Sequence, residues 1–251
     1  MNAGLNEREK LILDRLSVDG SVSVGALARD LGLSEVTIRG DLRDLEDKGW
    51  INRKRGGATA AMHRLILERQ RVFPERKNAI AKAAAKLVRD GDVIMIEAGT
   101  TTALIARYLA EKHDVHIVTN STLVFSYARM YPNLQITMTG GEFRRSTEST
   151  VGPIALETIG RLNVRLAFVG TDGFSVERGM TTHLIEGAEI VKAMKARAQT
   201  TVLVADSGKY GKFGFINVLP LSVMDLILTD NFLDARAEAE LLETGINIEK
   251  V

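Results

Sequence analysis

One short segment of the chain combines a glycine, three hydroxyl groups and a predicted helix start. Gly99 to Thr102 follows the apolar run Val93 to Ile96 and leads directly into a helical pattern over Ala103 to Glu111. Backbone N–H groups at a helix N-terminus, together with threonine hydroxyls, donate hydrogen bonds to phosphate or carboxylate oxygens, and the helix dipole favours the same charge. The residues Gly99, Thr100, Thr101 and Thr102 are therefore predicted to bind an anion.

Similar groups follow other apolar runs of the chain. Asn120 and Asp172 offer acceptors for sugar hydroxyl groups, and Lys209 offers a cation for a phosphate. The remaining members of this set are Ser121, Gly140, Gly141 and Gly173. Any one of these segments is equally well explained by helix capping, since glycines and hydroxyls also cap helices. Their recurrence after five runs favours a binding site for a polyhydroxylated, anionic ligand.

A second set of candidate residues is cationic and lies near the N-terminus. Arg53, Lys54 and Arg55 precede the pair Gly56-Gly57, and a triplet of cations beside a glycine turn suits contact with nucleic-acid phosphates. Residues 52–77 hold eight Lys or Arg against two acids, a net charge of +6 in a chain of net charge +1. This concentration favours a phosphate-facing strip over a merely solvated linker.

The segment before the cations predicts a helix that could enter a major groove. Ser34 is a good N-cap, and Ile38, Leu42 and Leu45 recur at helical spacing to form one buried stripe. The opposite face carries Val36, Gly40 and Arg43. The residues predicted to contact DNA from this helix are Ser34, Glu35, Thr37, Arg39 and Arg43.

The elements predicted on either side of this helix complete a helix-turn-helix with a wing. Leu11, Ile12 and Leu16 fit a first helix, Val22 and Val24 bracket a short turn, and Leu27, Ala28 and Leu31 fit a second helix that Gly32 ends. Two helices, a short turn and a capped helix form a helix-turn-helix, and a strand over Trp50 to Arg55 adds a wing. The alternative is a three-helix interaction module that binds no DNA.

The rest of the chain alternates between strand and helix patterns, which predicts an α/β domain with a mostly parallel sheet. The predicted strands are Val93 to Ile96, Val115 to Val118, Leu134 to Met138, Leu166 to Val169, Thr201 to Val204 and Leu226 to Leu228. The clearest helical patterns are Ala103 to Glu111, Leu123 to Met130 and Glu189 to Arg197. Ligands of such sheets bind beyond the carboxyl ends of the strands, where the candidate residues lie.

The N-terminal unit resembles the winged helix of DeoR-type bacterial transcriptional regulators. The residues that carry this resemblance are Thr37-Ile38-Arg39, Asp41-Leu42, Leu45 and the run from Arg53 to Ala58. The chain departs from the family at Gly40, where the family usually has a second arginine that would face the groove.

The second unit resembles the effector domain of the same family, which is itself similar to ribose-5-phosphate isomerase. The residues that carry this resemblance are Gly99-Thr100-Thr101, Thr119-Asn120, Gly140-Gly141, Gly170 to Gly173, Asp206-Ser207 and Lys209. The resemblance implies a sugar phosphate as ligand and raises an enzymatic alternative, with Glu186 or Glu189 as the acid or base of an isomerase. The acidic motif of the isomerase is here Asp172 to Val176 and lacks its two later carboxylates, so we expect binding without turnover.

Composition and length limit the possibilities further. The chain has 251 residues, 45% hydrophobic and 26% charged, enough for a small and a larger domain. It has no cysteine, which excludes disulfides and thiolate sites, and its four scattered histidines predict no metal site. No apolar run reaches the roughly 20 residues of a membrane span, and the polar N-terminus lacks a signal-peptide core, so a cytoplasmic location is expected.

These observations combine into one set of expectations. Residues 1–59 form a winged helix-turn-helix domain, residues 60–74 a linker that ends at Pro74, and residues 75–251 an α/β domain for effector binding and oligomerisation. The apolar face of the linker, which includes Met62 and Leu65, packs either on its own chain or on a neighbouring subunit. The expected function is a ligand-responsive regulator, most simply a repressor, that binds double-stranded operator DNA as a dimer or tetramer without a cofactor. The alternatives are a sugar-phosphate isomerase with a DNA-binding domain and a structural DNA-binding protein whose second domain only oligomerises.

Overall fold

The computed structural model describes residues 5–19, 21–47, 50–60 and 64–251. The chain divides into two compact units, Met1–Arg69 and Gln70–Val251. The boundary falls inside the segment 60–74 that the sequence predicts as a linker, and Met62 of that segment lies outside the described residues.

The first unit has three helices and a small antiparallel sheet. The helices are α1 (Glu7–Asp19), α2 (Val24–Leu31) and α3 (Glu35–Asp47). The strands β1 (Ser21–Ser23), β2 (Ile51–Lys54) and β3 (Gly57–Ala60) pair in the order β1-β3-β2. This arrangement confirms the predicted helix-turn-helix and its wing.

The core of the first unit explains the placement of α3. Ile38, Leu42 and Leu45 are buried as the periodicity predicts, and they belong to one cluster with Ile12 and Leu27. Gly32 ends α2 in the left-handed conformation, with φ 65°. A polar contact adds to this packing, because the guanidinium of Arg8 in α1 donates to both carboxylate oxygens of the buried Asp41, at 2.9 and 2.8 Å.

Two local predictions for this unit are wrong. The segment around Val22 is a strand and not a turn, because Val22 pairs with Ala58 of β3 and is buried beneath the sheet. In α1, Leu11 is half exposed and Leu13 is buried in its place. A shift of two positions along a helix moves a side chain by about 200°, so the apolar pattern alone misassigned one member of the stripe.

The predicted linker holds one helix and the start of another. Helix α4 (Arg64–Arg71) ends three residues before Pro74, and α5 (Pro74–Lys86) begins at that proline. Proline suits the first helical position, since its missing N–H would have no partner there. Ile66 and Leu67 are buried within the chain itself, whereas Leu65 is 44% exposed, so burial on its own chain covers only part of this apolar face.

The second unit is built on a seven-stranded sheet in which every pair is parallel. Its strands are β4 (Val93–Ile96), β5 (Val115–Thr119), β6 (Leu134–Met138), β9 (Val164–Val169), β12 (Ala198–Val204), β14 (Leu226–Thr229) and β15 (Ile248–Lys250). The spatial order is β15-β14-β12-β9-β4-β5-β6. The six predicted strands are confirmed; β15 was missed because its one apolar residue, Ile248, is followed by Glu249 and Lys250 and preceded by Asn247.

Helices cover this sheet. They are α5, α6 (Thr102–Ile105), α7 (Thr122–Ala128), α8 (Pro153–Gly160), α9 (Ile185–Arg197) and α10 (Ala235–Glu243). Met95 of β4 packs in one cluster with Ile159 of α8 and Ile190 of α9. Ile94 and Ile96, which alternate with Met95 and point to the opposite face, are also buried. Both faces of the sheet are therefore covered, as expected for a parallel sheet.

Short strands and one short helix complete the second unit. The strands β7 (Glu142–Arg144) and β8 (Ser149–Val151) form a hairpin, and β10 (Gly173–Ser175), β11 (Gly179–Thr182) and β13 (Ile216–Asn217) form a second small sheet. The helix predicted over Ala103 to Glu111 is wrong in length: α6 has four residues and continues only as a 3-10 turn to Tyr108. The tighter turn buries Ile105, Ala106 and Leu109 together.

No helix among the described residues has both the length and the apolar character needed to cross a membrane.

Candidate functional site

The N-terminal turn of α3 is fixed by its own hydroxyl groups. The Oγ of Ser34 accepts a hydrogen bond from the Thr37 backbone N–H at 3.1 Å, and the two hydroxyls lie 2.8 Å apart. Ser34 is therefore the N-cap that the sequence predicts. Both side chains are partly occupied in holding this turn, and they thereby fix where α3 begins.

The cations of α3 differ in their surroundings. The guanidinium of Arg39 donates to Glu35 at 3.0 Å, one helical turn away, and both side chains are about half exposed. Such exposed pairs contribute little stability and exchange partners readily. Arg43 lies exposed further along the same helix. Both arginines are therefore placed to reach a nucleic acid, Arg39 after giving up an intramolecular partner.

The cations of the wing are not equivalent either. Lys54 and Arg55 are exposed at the tip of the hairpin, where Gly56 has a φ of 83°. Arg53 instead lies beside Glu46 of α3: its backbone N–H donates to Glu46 at 3.1 Å, and its guanidinium is 3.7 Å from the same carboxylate. The tip of the wing thus presents two cations, and the third partly neutralises an acid of α3.

The second candidate site lies at a reversal of strand order in the large sheet. From β4 the chain moves through β5 and β6 on one side, and later returns to β9 on the other side. Loops diverge at such a point and leave a crevice beyond the carboxyl ends of the strands. The Gly170 N–H, after β9, donates to the Glu97 carboxylate, after β4, at 3.1 Å. The two loops that flank the crevice are therefore in direct contact.

The segment Gly99 to Thr102 follows β4 at this strand reversal and leads into a helix as the sequence predicts, with Thr101 at the N-cap position, but that helix is much shorter than predicted. Because α6 has a single turn, its dipole contributes little to anion binding. The hydroxyl of Thr102 donates to the Gly99 carbonyl at 3.0 Å. The hydroxyl of Thr101 is buried and has no hydrogen-bond partner among the described residues. A buried hydroxyl without a partner costs stability, and this one lies within the predicted anion-binding segment.

A buried lysine that was not among the predicted site residues lies at this segment. Lys77 of α5 is only 3% exposed, and its Nζ lies 3.4 Å from the Thr100 hydroxyl. The sequence placed Lys77 at the end of the basic strip assigned to DNA, whereas the structure buries it in the second unit. Its neighbours Ile80, Ala81 and Ala84 mark one buried face of α5, and the helical spacing of Lys77 to that face is the signal that could have found it.

A second lysine approaches the crevice from the other side. Lys209 follows β12, and its ammonium donates to the Thr171 carbonyl after β9. The adjacent phenol of Tyr210 donates to Glu240 at 2.8 Å, and burial together with this hydrogen bond raises the pKa of Tyr210 to about 12. The phenol stays protonated at neutral pH, and Lys209 is the cation of this segment that contacts the loop after β9.

The predicted sugar-binding acceptors are held by the protein itself. Asp172 accepts hydrogen bonds from the Thr182 hydroxyl at 2.9 Å and from the His183 N–H at 3.0 Å. Asn120 accepts from the Ala98 N–H at 3.0 Å and donates to the Thr150 carbonyl at 3.2 Å. These bonds fix both side chains at the carboxyl edge of the sheet.

Three other predicted residues have structural roles. Ser121 caps α7 by accepting from the Val124 N–H at 3.3 Å. A side chain at Gly141 would lie 2.4 Å from the Val151 carbonyl, and one at Gly173 would lie 2.1 Å from the Lys212 carbonyl. Close backbone approach therefore requires glycine at both positions. Gly140 follows β6 at the open edge of the sheet, two strands away from β4.

Glu186 contacts the segment that follows β6 and, among the described residues, is not held by the loop after β4. It begins α9 and forms an ion pair with Arg144 of β7. The pKa of Glu186 is lowered from its ordinary value, chiefly by a hydrogen bond from its own backbone N–H and further by the Arg144 guanidinium, while burial acts in the opposite direction. A carboxylate that is stabilised in its charged form and paired with arginine suits neither the acid nor the base of an isomerase at neutral pH.

A winged helix-turn-helix followed along the chain by a parallel-sheet α/β unit is the domain organisation of a ligand-responsive transcriptional regulator. The chain belongs to the DeoR family: residues 8–64 match the DeoR-like helix-turn-helix domain, and residues 73–231 match the DeoR C terminal sensor domain. Together these matches extend over most of both units.

Relatives of similar length support this assignment. The chain is 35% identical over 246 residues to the HTH-type transcriptional regulator GlpR of Haloferax volcanii, with 96% of each chain covered. It is 30% identical over 251 residues to the putative aga operon transcriptional repressor of Escherichia coli O157:H7, with 98% of this chain and 93% of that relative covered. These proteins are named as regulators, and the chain is placed with them and not with enzymes.

The resemblance to an isomerase fold is weaker. The structure of ribose 5-phosphate isomerase A from Methanocaldococcus jannaschii superposes on 55% of this chain and 54% of its own, with a TM-score of 0.41 and 22% identity. At this level the likeness carries no conclusion about ligand or activity.

Proposed function

We propose that this regulator is a repressor that releases its operator when a phosphorylated sugar-type metabolite binds at the strand reversal of the second unit. Two relatives at 30% and 27% identity carry the word repressor in their names, which supports the direction of regulation. The operator contacts proposed are those of α3 and of the wing tip, with Arg39, Arg43, Lys54 and Arg55 as the exposed cations.

The observation that carries the ligand proposal is the buried ammonium of Lys77 beside Thr100. An ammonium group held next to the segment Gly99 to Thr102 can donate charge-assisted hydrogen bonds to an anion that binds there, which favours an anionic ligand. Lys209 adds a second cation across the strand reversal, and backbone and side-chain groups of Gly99 to Thr102 supply further donors. These groups suit a phosphate, which accepts hydrogen bonds through several oxygens.

The sugar portion of the ligand is proposed to lie toward Asp172 and Asn120. Both side chains are held in one orientation by hydrogen bonds from neighbouring elements. A carboxylate that is already held in one orientation loses less rotamer entropy on binding than a mobile one, which favours its affinity for a sugar hydroxyl. We retain Gly140 as a neighbour of the site, whereas Ser121, Gly141, Gly173 and Glu186 are assigned structural roles.

Thermal unfolding of the full-length protein tests the ligand proposal. Sugar phosphates are expected to raise the melting temperature, and the same sugars without phosphate are not, because a ligand that binds only the folded state stabilises it by mass action. The variant Lys77→Met is expected to lose this shift. Lys82→Met is the matched control, since Lys82 is an exposed lysine of the same helix. The proposal is wrong if no phosphate ester stabilises the wild type, or if Lys77→Met responds like Lys82→Met.

Two further expectations stay predictions. A homodimer or homotetramer is expected from the symmetry of operator sites, and light scattering of the purified protein measures its mass. A cytoplasmic location is expected for a regulator that must reach chromosomal DNA.

A further inference from the structure

One apolar side chain projects from the DNA-facing side of the helix-turn-helix. Val36 lies in the first turn of α3 and is 81% exposed, on the face opposite the buried Ile38, Leu42 and Leu45. Packing does not explain a valine at this position, because its side chain contacts so little of the core. Helix propensity does not explain it either, since valine is a poorer helix former than alanine.

Gly40 contributes no side chain to the helix face that carries Val36. Gly40 lies one helical turn further along, and a side chain added there would have nothing within 4 Å. The next long side chain on this face is Arg43, about 10 Å beyond Val36 along the helix axis. The first half of the face therefore presents two methyl groups and bare backbone, and its polar neighbours Glu35 and Arg39 are paired with each other at 3.0 Å.

The major groove offers a specific partner for such a surface. Each base pair presents hydrogen-bonding groups there, and the 5-methyl group of thymine is the one apolar group among them. In a helix-turn-helix, the N-terminal residues of the recognition helix contact the base edges. We infer that Val36 reads the methyl group of a thymine in each operator half-site, and that the absence of a side chain at Gly40 lets the helix backbone come close enough for this contact.

The effect of this contact on DNA affinity can be estimated, and its removal is expected to leave the fold unchanged. One methyl group removed from a buried apolar contact weakens an interaction about fourfold. Because Val36 is so exposed, Val36→Ala is expected to unfold at the wild-type temperature or slightly above. The inference depends on DNA binding alone, so it stands or falls independently of the effector proposal.

Removal of single methyl groups from DNA tests the inference directly. The full-length protein is used to select tight-binding duplexes from a random library, and each thymine of a selected duplex is replaced in turn by uracil, which lacks only the methyl group. At one thymine per half-site, the wild type is expected to bind about fourfold more weakly after this change. Val36→Ala is expected to bind the unmodified duplex weakly and to be insensitive to uracil at that same position.

A matched control separates this contact from a general loss of apolar surface. Leu11→Ala removes a half-exposed apolar side chain of α1, and it is expected to keep the wild-type response to uracil at every position. The inference is overturned if no thymine is sensitive to the change in the wild type, or if Val36→Ala retains the sensitivity that the wild type shows.

Discussion

At the scale of single residues, the two candidate sites use their charged groups differently. On the DNA-facing surface, Arg43, Lys54 and Arg55 are exposed. In the crevice, Lys77 is buried against Thr100. The exposed cations are proposed to act on a long, repetitive polyanion through attraction that salt screens. The buried one is proposed to act on a small ligand at short range, where screening is weak.

Gly40 leads to the first prediction at this scale. It lies in the middle of α3 with open space where a side chain would be, so neither packing nor an unusual backbone conformation requires glycine. Gly40→Ala is expected to raise the free energy of unfolding by up to about 1 kcal/mol, the difference in helix propensity. Urea unfolding of the full chain measures this, and a lower stability of the variant would contradict the assignment of Gly40 to the groove side.

An ion pair at the opposite edge of the large sheet leads to the second prediction. Arg165 of β9 donates to both carboxylate oxygens of Asp92, which precedes β4, and also to the Leu87 carbonyl at 2.7 Å. Arg165→Ala leaves the largely buried Asp92 without this partner and is expected to cost about 2 kcal/mol of stability. Effector and operator binding are expected to persist, because this pair lies at the amino ends of the strands; loss of both without unfolding would contradict the prediction.

The same pair predicts how stability depends on pH. Burial acts to raise the pKa of Asp92, but hydrogen bonds from Arg165 and from the Arg89 N–H outweigh it and hold the pKa below the ordinary value of 3.8. The stabilisation is therefore fully present above about pH 4 and is lost as the pH falls through the lower, folded-state value. Thermal melts of the wild type and Asp92→Asn should converge as the pH falls below 4; parallel curves would show that Asp92 contributes nothing to acid sensitivity.

At the scale of elements, the wing yields the fourth prediction. Lys54 and Arg55 lie at the hairpin tip, whereas Arg53 lies beside Glu46. The double variant Lys54→Ala and Arg55→Ala is expected to reduce the slope of log affinity against log salt by about two units, and Arg53→Ala by less than one. Titrations of random duplex DNA at several salt concentrations measure both slopes. An equal change per residue for all three positions would contradict the distinction.

Elements with strong local signals could be predicted from the sequence. The six strands with apolar runs and the cap of α3 at Ser34 were found because pattern and capping chemistry act within a few residues. The length of α6, the strand at Val22 and the final strand β15 were not, because tertiary packing and pairing with distant strands decide them. The apolar pattern around Val22 contains no information about its strand partner Ala58, which lies 36 residues further along the chain.

The candidate site could be predicted only in outline, for a similar reason. The loops after β4, β5, β6, β9 and β12 were placed correctly at one edge of the sheet, because the carboxyl ends of parallel strands all lie at the same edge. The roles of the side chains within those loops depend on partners from other elements. Lys77 belongs to α5, which precedes the first strand of the sheet, and it contacts Thr100. Glu186 forms an ion pair with Arg144 of the β7–β8 hairpin, which was not predicted from the sequence.

At the scale of the whole molecule, a regulator requires coupling between two sites on one chain. If the effector weakens operator binding by some factor, operator DNA must weaken effector binding by the same factor. This reciprocity makes no assumption about how the two units are arranged. It also means that a variant which damages only the effector site keeps its affinity for the operator and loses its response.

A substitution of Thr101 is expected to damage only the effector site. It should raise the stability of the protein and weaken operator release by sugar phosphate. Its hydroxyl is buried in the proposed anion site without a partner among the described residues. Thr101→Val removes that hydroxyl, so the free energy of unfolding is expected to rise by about 1 kcal/mol without ligand. Because a phosphate oxygen is the proposed partner of this hydroxyl, operator release is expected to need several-fold more sugar phosphate.

Thr201→Val is the control. Thr201 of β12 also has a buried hydroxyl without a hydrogen-bond partner among the described residues, but it lies within the sheet. The Thr201→Val variant is expected to gain stability and to keep the wild-type response to sugar phosphate. If both variants release the operator at wild-type concentrations, the phosphate does not bind at Thr101, and the effector site must be sought elsewhere in the second unit.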